Sequence, residues 1–213
     1  MSKDGLKSKH HNGNPKNDKD RFEIVVGAIL TQNTSWNNVE KALFNLNKED
    51  LIDVKKMAAA KESRIAELIK PSGYYNQKAK RLKTIAMHLL RRPSLPEERK
   101  ELLKVNGIGQ ETADSIILYA AEKPSFVVDA YTKRIFSRLG LVDENEKYEK
   151  VKELFEGKLK KDVETFKEYH ALIVEHAKKH CNKKPKCDKC ILAKKCRYHT
   201  LNTSRTSASS ILK

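Results

Sequence analysis

The apolar positions of the chain recur at helical spacing over most of its length. "RFEIVVGAILTQ" (21–32) is apolar nearly all round, the pattern of a helix buried on every side. "NVEKALFNL" places Val39, Ala42, Leu43 and Leu46 on one face, and "QKAKRLKTIAMHLL" does the same with Ala79, Leu82, Ile85, Ala86 and Leu89. "ETADSIILYAA" groups Ala113, Ile116, Ile117 and Ala120, and "YEKVKELFEGKL" and "FKEYHALIVEHAKKH" are amphipathic. Ser94 and Glu97 have the spacing of a capping box ahead of the helix in "ERKELLKV". Period-two alternation is short. "SFVVDAY" is the best strand candidate, and a loop reading of it stays open. The pattern predicts an all-α chain of about eight to ten helices. Residues 1–20, almost without apolar side chains, read as disordered, and the Ser/Thr-rich segment 197–213 reads as a loose tail.

The length of 213 residues allows one large domain or two small ones. Charge narrows the partner: 44 Lys+Arg against 28 Asp+Glu give a formal +16, which favours a polyanion. Nucleic acid ranks ahead of an anionic membrane surface, with a solvated lysine-rich surface as the plain alternative. No apolar run approaches membrane-spanning length, and no apolar signal core opens the chain. The expectation is a cytoplasmic, nucleoid-associated protein that is not secreted and has no membrane partner. All four cysteines, Cys181, Cys187, Cys190 and Cys196, fall in "CNKKPKCDKCILAKKC" with spacing C-x5-C-x2-C-x5-C. Such clustering points to a metal site rather than a disulfide framework, and the spacing alone admits Zn²⁺ or [4Fe–4S].

"LLKVNGIGQETAD" (102–114) breaks one helix and starts another through a Gly-x-Gly turn. Gly107 and Gly109 allow backbone angles that other residues resist. Ile108 is expected to point inward and tie the two helices together. Free amides at the start of the second helix suit a phosphate, so the helix–hairpin–helix over 99–121 is a candidate grip on a nucleic-acid backbone. A tight connection with no ligand is the plain alternative. Further on, "FVVDAYTKRIFSRLGL" presents Asp129 directly after an apolar run, where an acid can cap the helix that follows.

In "GAILTQNT", "SGYYNQKAKRL", "VNGIGQETAD", "VVDAYTKRI" and the cysteine cluster, taken in this order, the chain resembles the helix–hairpin–helix DNA glycosylases of the endonuclease III superfamily over about residues 22–196. The phrasing is most similar to the 3-methyladenine (alkylpurine) branch. The resemblance implies an all-α, two-lobed fold: a six-helix lobe over 21–122 and a second lobe over 123–196 holding the iron–sulfur cluster. It places a DNA-binding cleft between the lobes, into which a damaged nucleotide of double-stranded DNA is flipped. It makes Asp129 the catalytic carboxylate, stabilising positive charge on the sugar and orienting or deprotonating water. It makes the cofactor [4Fe–4S], with zinc as the alternative, since the first cysteine gap is one residue shorter than the family's more familiar pattern.

In bifunctional members of that family the residue matching Glu111 is a lysine, whose amine forms a Schiff base that leads to strand cleavage. Glutamate has no such amine. The expectation is therefore a monofunctional, monomeric glycosylase of base excision repair, releasing an alkylated purine by Asp129-assisted attack of water. Glu111 either faces the base pocket or is a solvated first-turn glutamate favoured by the helix dipole. The alternatives are a bifunctional glycosylase with abasic-site lyase activity, a G·T or G·U mismatch glycosylase, and a catalytically silent DNA-binding module. DNA contacts fall to Gly107, Ile108, Gly109 and Thr112 at the hairpin. Gln32 matches a residue that fills the gap left by the flipped base, and Tyr74 matches a wedge. Lys78 is a candidate phosphate contact, as are Lys183, Lys184 and Lys186 in the cysteine loop. Arg134 is expected to support the Asp129 region, while His170 and His176 read as packing residues. The chain departs from the alkylpurine branch in having no aromatic residue before Phe22 to stack on a damaged base, so either the pocket is more open or other rings serve, such as Phe22, Trp36 or Phe44.

Overall fold

The computed structural model describes residues 14–210, and among them the regular structure is entirely helical. The helices are α1 (Asp18–Leu30), α2 (Trp36–Lys48), α3 (Val54–Ala59), α4 (Glu62–Leu68), α5 (Tyr75–Leu90), α6 (Arg99–Leu103) and α7 (Gln110–Ser115). They continue with α8 (Ala130–Leu139), α9 (Tyr148–Lys158), α10 (Val163–Lys179) and α11 (Arg197–Ser210). Contacts divide the chain into two compact units, one ending at Ser125 and the other beginning at Phe126. No described helix is long and apolar enough to cross a membrane.

In the first unit α1 is the central element, as its all-round apolar pattern requires. Val25, Val26, Ile29 and Leu30 are fully buried, and α1 packs against α2, α5 and α7. Helix α5 buries Ala79, Leu82, Ile85 and Ala86 against α3 and α4. Burial of Leu82 and Ile85 contributes about 1.5–3 kcal/mol each, and of an alanine methyl less. Helix α7 runs into a π-helical turn, Ile116–Ala120, whose five residues are all buried against α1. Arg21 closes that turn by donating to the Ala120 carbonyl and pairing with Glu122 at 3.0 Å. A cation is favoured at this carbonyl end of a helix.

The second unit is built on an aromatic cluster. Phe126 stacks on Phe155 (centroids 4.1 Å apart) and meets Phe166 edge-on at 5.5 Å. This fixes the segment that expectation left between strand and loop. It has no regular structure, and side chains meet three of its backbone groups. The Phe126 amide donates to Glu156 at 2.9 Å and the Val128 amide to the Tyr148 hydroxyl at 3.3 Å, while Lys152 Nζ donates to the Phe126 carbonyl.

Three local expectations change. Helix α1 begins inside the segment read as disordered, because the Asn17 side chain caps it by accepting from the Asp20 amide at 2.9 Å; residues 1–13 lie outside the described residues. The segment read as a loose tail is helical to Ser210. Its hydroxyls bond back to the preceding turn, as Thr203 does to His199 at 3.0 Å, and Arg138 stacks over the Tyr198 ring at 4.8 Å. Ser94 caps nothing. Helix α6 starts at Arg99 with Glu98 as its cap residue, since Pro93 and Pro96 favour extended backbone before it.

Candidate active site

The hairpin lies in the first unit. Ile108 is buried at its tip, and its amide donates to Val105 at 3.0 Å. The two glycines differ. Gly107 has φ +89, and a Cβ there would stand 2.5 Å from Arg81 Cγ. Gly109 has ordinary extended backbone (φ −89, ψ 178), so it does not need the freedom expected of it. It caps α7, and a Cβ added there would meet nothing within 4 Å. Internal packing therefore accounts for a glycine at 107 and not at 109. Gly107→Ala is expected to cost about 1–3 kcal/mol of stability from the positive φ and the Arg81 contact. Gly109→Ala should stay within about 0.5 kcal/mol. Chemical melts of the two variants check the contrast.

Two predicted DNA residues meet here. Gln32 Nε2 donates to Thr112 Oγ1 at 2.9 Å, and Gln32 Oε1 accepts from Arg81. Arg81, which sequence reasoning passed over, thus orients Gln32 while lying against Gly107. Glu111 is exposed in the first turn of α7. Tyr74 is 66% exposed and sits in the left-handed region (φ 46, ψ 31), an uncommon conformation for an aromatic residue. Tyr75 beside it is about half as exposed, at 37%. Among the candidate rings Phe22 is buried in the core, Phe44 is exposed, and Trp36 lies against Gly27 of α1.

Lys78 corrects the expectation that it touches phosphate. It is 1% exposed, and its ammonium donates to the Leu30 carbonyl at 2.9 Å and the Ser72 carbonyl at 2.7 Å. It joins the end of α1 to the turn before α5. Burial, with the nearby Arg81 charge, lowers its pKa from 10.5 to about 8. The unfolded chain then holds a proton that the folded chain releases, so stability rises as pH climbs from about 8 towards 10.5. Lys78→Met should abolish that trend and cost about 1–3 kcal/mol at neutral pH by stranding the carbonyls. Urea melts at pH 7 and pH 9.5 check both.

In the second unit Asp129 caps α8. Its Oδ1 accepts from the Thr132 amide at 2.7 Å and the Thr132 hydroxyl at 2.8 Å. Its Oδ2 lies 3.6 Å from His170 Nε2 of α10, and both side chains are nearly buried. Burial pushes the carboxyl up, but His170 and the Thr132 bonds outweigh it and hold the group below its ordinary value. It is a carboxylate at neutral pH. His170 therefore does more than pack.

The four cysteines line one small pocket together with Arg138, His176, His180 and Tyr198. Arg138 donates to Cys181 Sγ at 3.3 Å and to the Asn182 carbonyl at 2.7 Å, and Cys196 Sγ approaches the Arg138 carbonyl at 3.3 Å. Arg134 donates to the Cys181 carbonyl at 2.8 Å, so it serves this loop rather than Asp129. Burial pushes the Cys187 thiol up, and the facing thiols Cys196, Cys190 and Cys181 push it the same way. Four thiols in one cavity suit a bound cation that takes them as thiolates. Among the described residues no group of three or more His, Cys, Asp or Glu side chains is drawn together closely enough to hold a metal ion. Lys183, Lys184 and Lys186 are exposed on the loop.

A model of the HhH-GPD superfamily of base excision DNA repair proteins matches residues 26–161. A Methanocaldococcus jannaschii protein, named provisionally as a DNA repair glycosylase, is 54% identical over 187 residues, covering 83% of this chain and 85% of its own. Endonuclease III of Thermotoga maritima is 31% identical over 193 residues, 87% of each chain. Among solved structures, the H. pylori 3-methyladenine DNA glycosylase MagIII bound to 1,N6-ethenoadenine matches with a TM-score of 0.66. The identity is 34%, over 74% of this chain and 84% of that one.

Proposed function

The chain belongs to the HhH-GPD superfamily of base excision DNA repair proteins, and on that premise we propose that it is a monofunctional glycosylase for alkylated purines in double-stranded DNA. Asp129 carries the reading. Breaking the base–sugar bond leaves positive charge on the sugar, and a nearly buried, ionised carboxylate stabilises it. A carboxyl held below its ordinary pKa is a poor proton acceptor, so its main work is electrostatic, with water oriented more than deprotonated.

The hairpin supplies grip. The open space over Gly109 lets a phosphate approach the α7 amides, a contact that fixes position without reading sequence. Gly109→Ala should weaken binding to damaged and undamaged duplex alike by roughly tenfold, the worth of one charge-assisted hydrogen bond. Gln32, held by Thr112 and Arg81, is the gap-filling residue of this reading, and the exposed, strained Tyr74 is its wedge. MagIII, which shares 34% identity and is named for 3-methyladenine, supports the alkylpurine substrate.

Cys181, Cys187, Cys190 and Cys196 would hold a [4Fe–4S] cluster, which organises the basic loop 182–189. Four thiolates on one zinc ion stand about 3.8 Å from one another, given Zn–S bonds of ~2.3 Å in a tetrahedron. A cubane takes one thiolate per iron and spreads them more widely. That the four cysteines share one cavity supports a bound metal group, and membership of the HhH-GPD superfamily favours the cluster, with zinc as the alternative.

Glu111 at the lysine position of the lyases supports hydrolysis without strand cleavage. Borohydride trapping tests it. No covalent protein–DNA adduct should form during base release; an adduct would mean that a lysine elsewhere acts as nucleophile and that the bifunctional reading holds.

A further inference from the structure

His170 occupies an unusual place on α10. Phe166, Ile173 and Ala177 form the buried stripe of this helix, and His170 falls on the same face at helical spacing. An imidazole is an expensive group to bury without a polar partner. At 4% exposure its ring faces Asp129, with Nε2 3.6 Å from Oδ2, slightly beyond hydrogen-bond length. Thr132 of α8 takes the other carboxylate oxygen through two bonds. The groups that act on the carboxylate are thus Thr132 from its own helix and His170 from α10, which packs across α8. Thr132 alone would fix Oδ1 and leave Oδ2 without the His170 edge, while burial favours the protonated acid.

We infer that His170 is a positioning residue for the reaction: its Nε2 edge, 3.6 Å from Oδ2, fixes the rotation of the Asp129 carboxyl group, so that the charge points where the sugar cation forms. This rests on the catalytic reading of Asp129. It adds a group from a different helix, forty-one positions along the chain (170 − 129 = 41), to a site whose carboxylate is otherwise held within one helical turn.

Two variants separate this role from packing. His170→Phe keeps the ring volume and removes the polar edge. His170→Gln keeps an N–H donor at the reach of Nε2 and removes any charge. The direct measurement is carboxyl ¹³C titration of Asp129 by NMR in full-length protein, which needs no activity. The Asp129 midpoint should move to higher pH in both variants, further in His170→Phe. Single-turnover base release should then fall roughly 10- to 100-fold in His170→Phe, the scale for misplacing a reacting group. Its acidic limb should move up in pH, and affinity for a duplex carrying an uncleavable abasic analogue should be unchanged. His170→Gln should recover most of the rate at neutral pH.

An unmoved Asp129 titration in the variants overturns the inference, as does equal loss of rate in both variants with a wild-type acidic limb. If His170→Phe does not fold, the His170→Gln titration decides alone. Asp129→Asn keeps the two readings apart. Base release that survives it removes the catalytic reading itself. Release that is lost with it, beside an unmoved titration in the His170 variants, removes only the role of His170.

Discussion

Asp129→Asn should lower base release by roughly 10³-fold while leaving DNA affinity within a factor of about two, the range being that of a lost charge-stabilising or acid–base group. The amide is nearly isosteric, and its oxygen can still accept from Thr132, so the α8 cap survives. What disappears is the negative charge beside the developing sugar cation. Binding is expected to persist or tighten slightly, since a carboxylate repels the phosphate backbone. Single-turnover release and a separate binding isotherm on the same duplex check the two halves. A variant that releases base normally would reduce Asp129 to a helix cap.

Purified protein should contain about four iron atoms per chain with visible charge-transfer absorbance, and Cys187→Ser should lose both. Cys187 faces the other three thiols across the shared cavity, so its loss removes one corner of the cluster. The loop 182–189 is polar apart from Pro185 and Cys187, and without the cluster it should become the first site of protease cleavage. DNA affinity should fall with it, because Lys183, Lys184 and Lys186 are presented by that loop. One zinc per chain with no iron would replace the cluster by a single-ion site.

Much of the fold was legible because the helices carry their own evidence. The all-round apolar run at 21–32 is the most buried helix, and the stripes on α2 and α5 point inward as their spacing requires. The Gly-x-Gly break and the acid after "FVV" were also visible, since turn chemistry and capping are local. Lys78 was misread because charge was weighed above position. It stands at helical spacing with Leu82, Ile85 and Leu89, on the buried stripe of α5, and that register was the available signal. Arg81 and His170 escaped for another reason. Arg81 meets Gln32 and Gly107, and His170 meets Asp129, only through tertiary packing, which no spacing in the chain records. The strained backbone of Tyr74 was likewise invisible, because the preceding Gly73 drew the turn signal to itself.

The measurement that bears most directly on the whole account is base release with strand scission scored separately. The protein would be incubated with duplexes carrying 3-methyladenine, uracil, thymine glycol or a G·T mismatch, and each product run with and without alkali. Release of methyladenine, with strand breaks only after alkali, is the predicted result. Thymine glycol release with spontaneous scission would contradict it and make the chain a bifunctional enzyme despite Glu111.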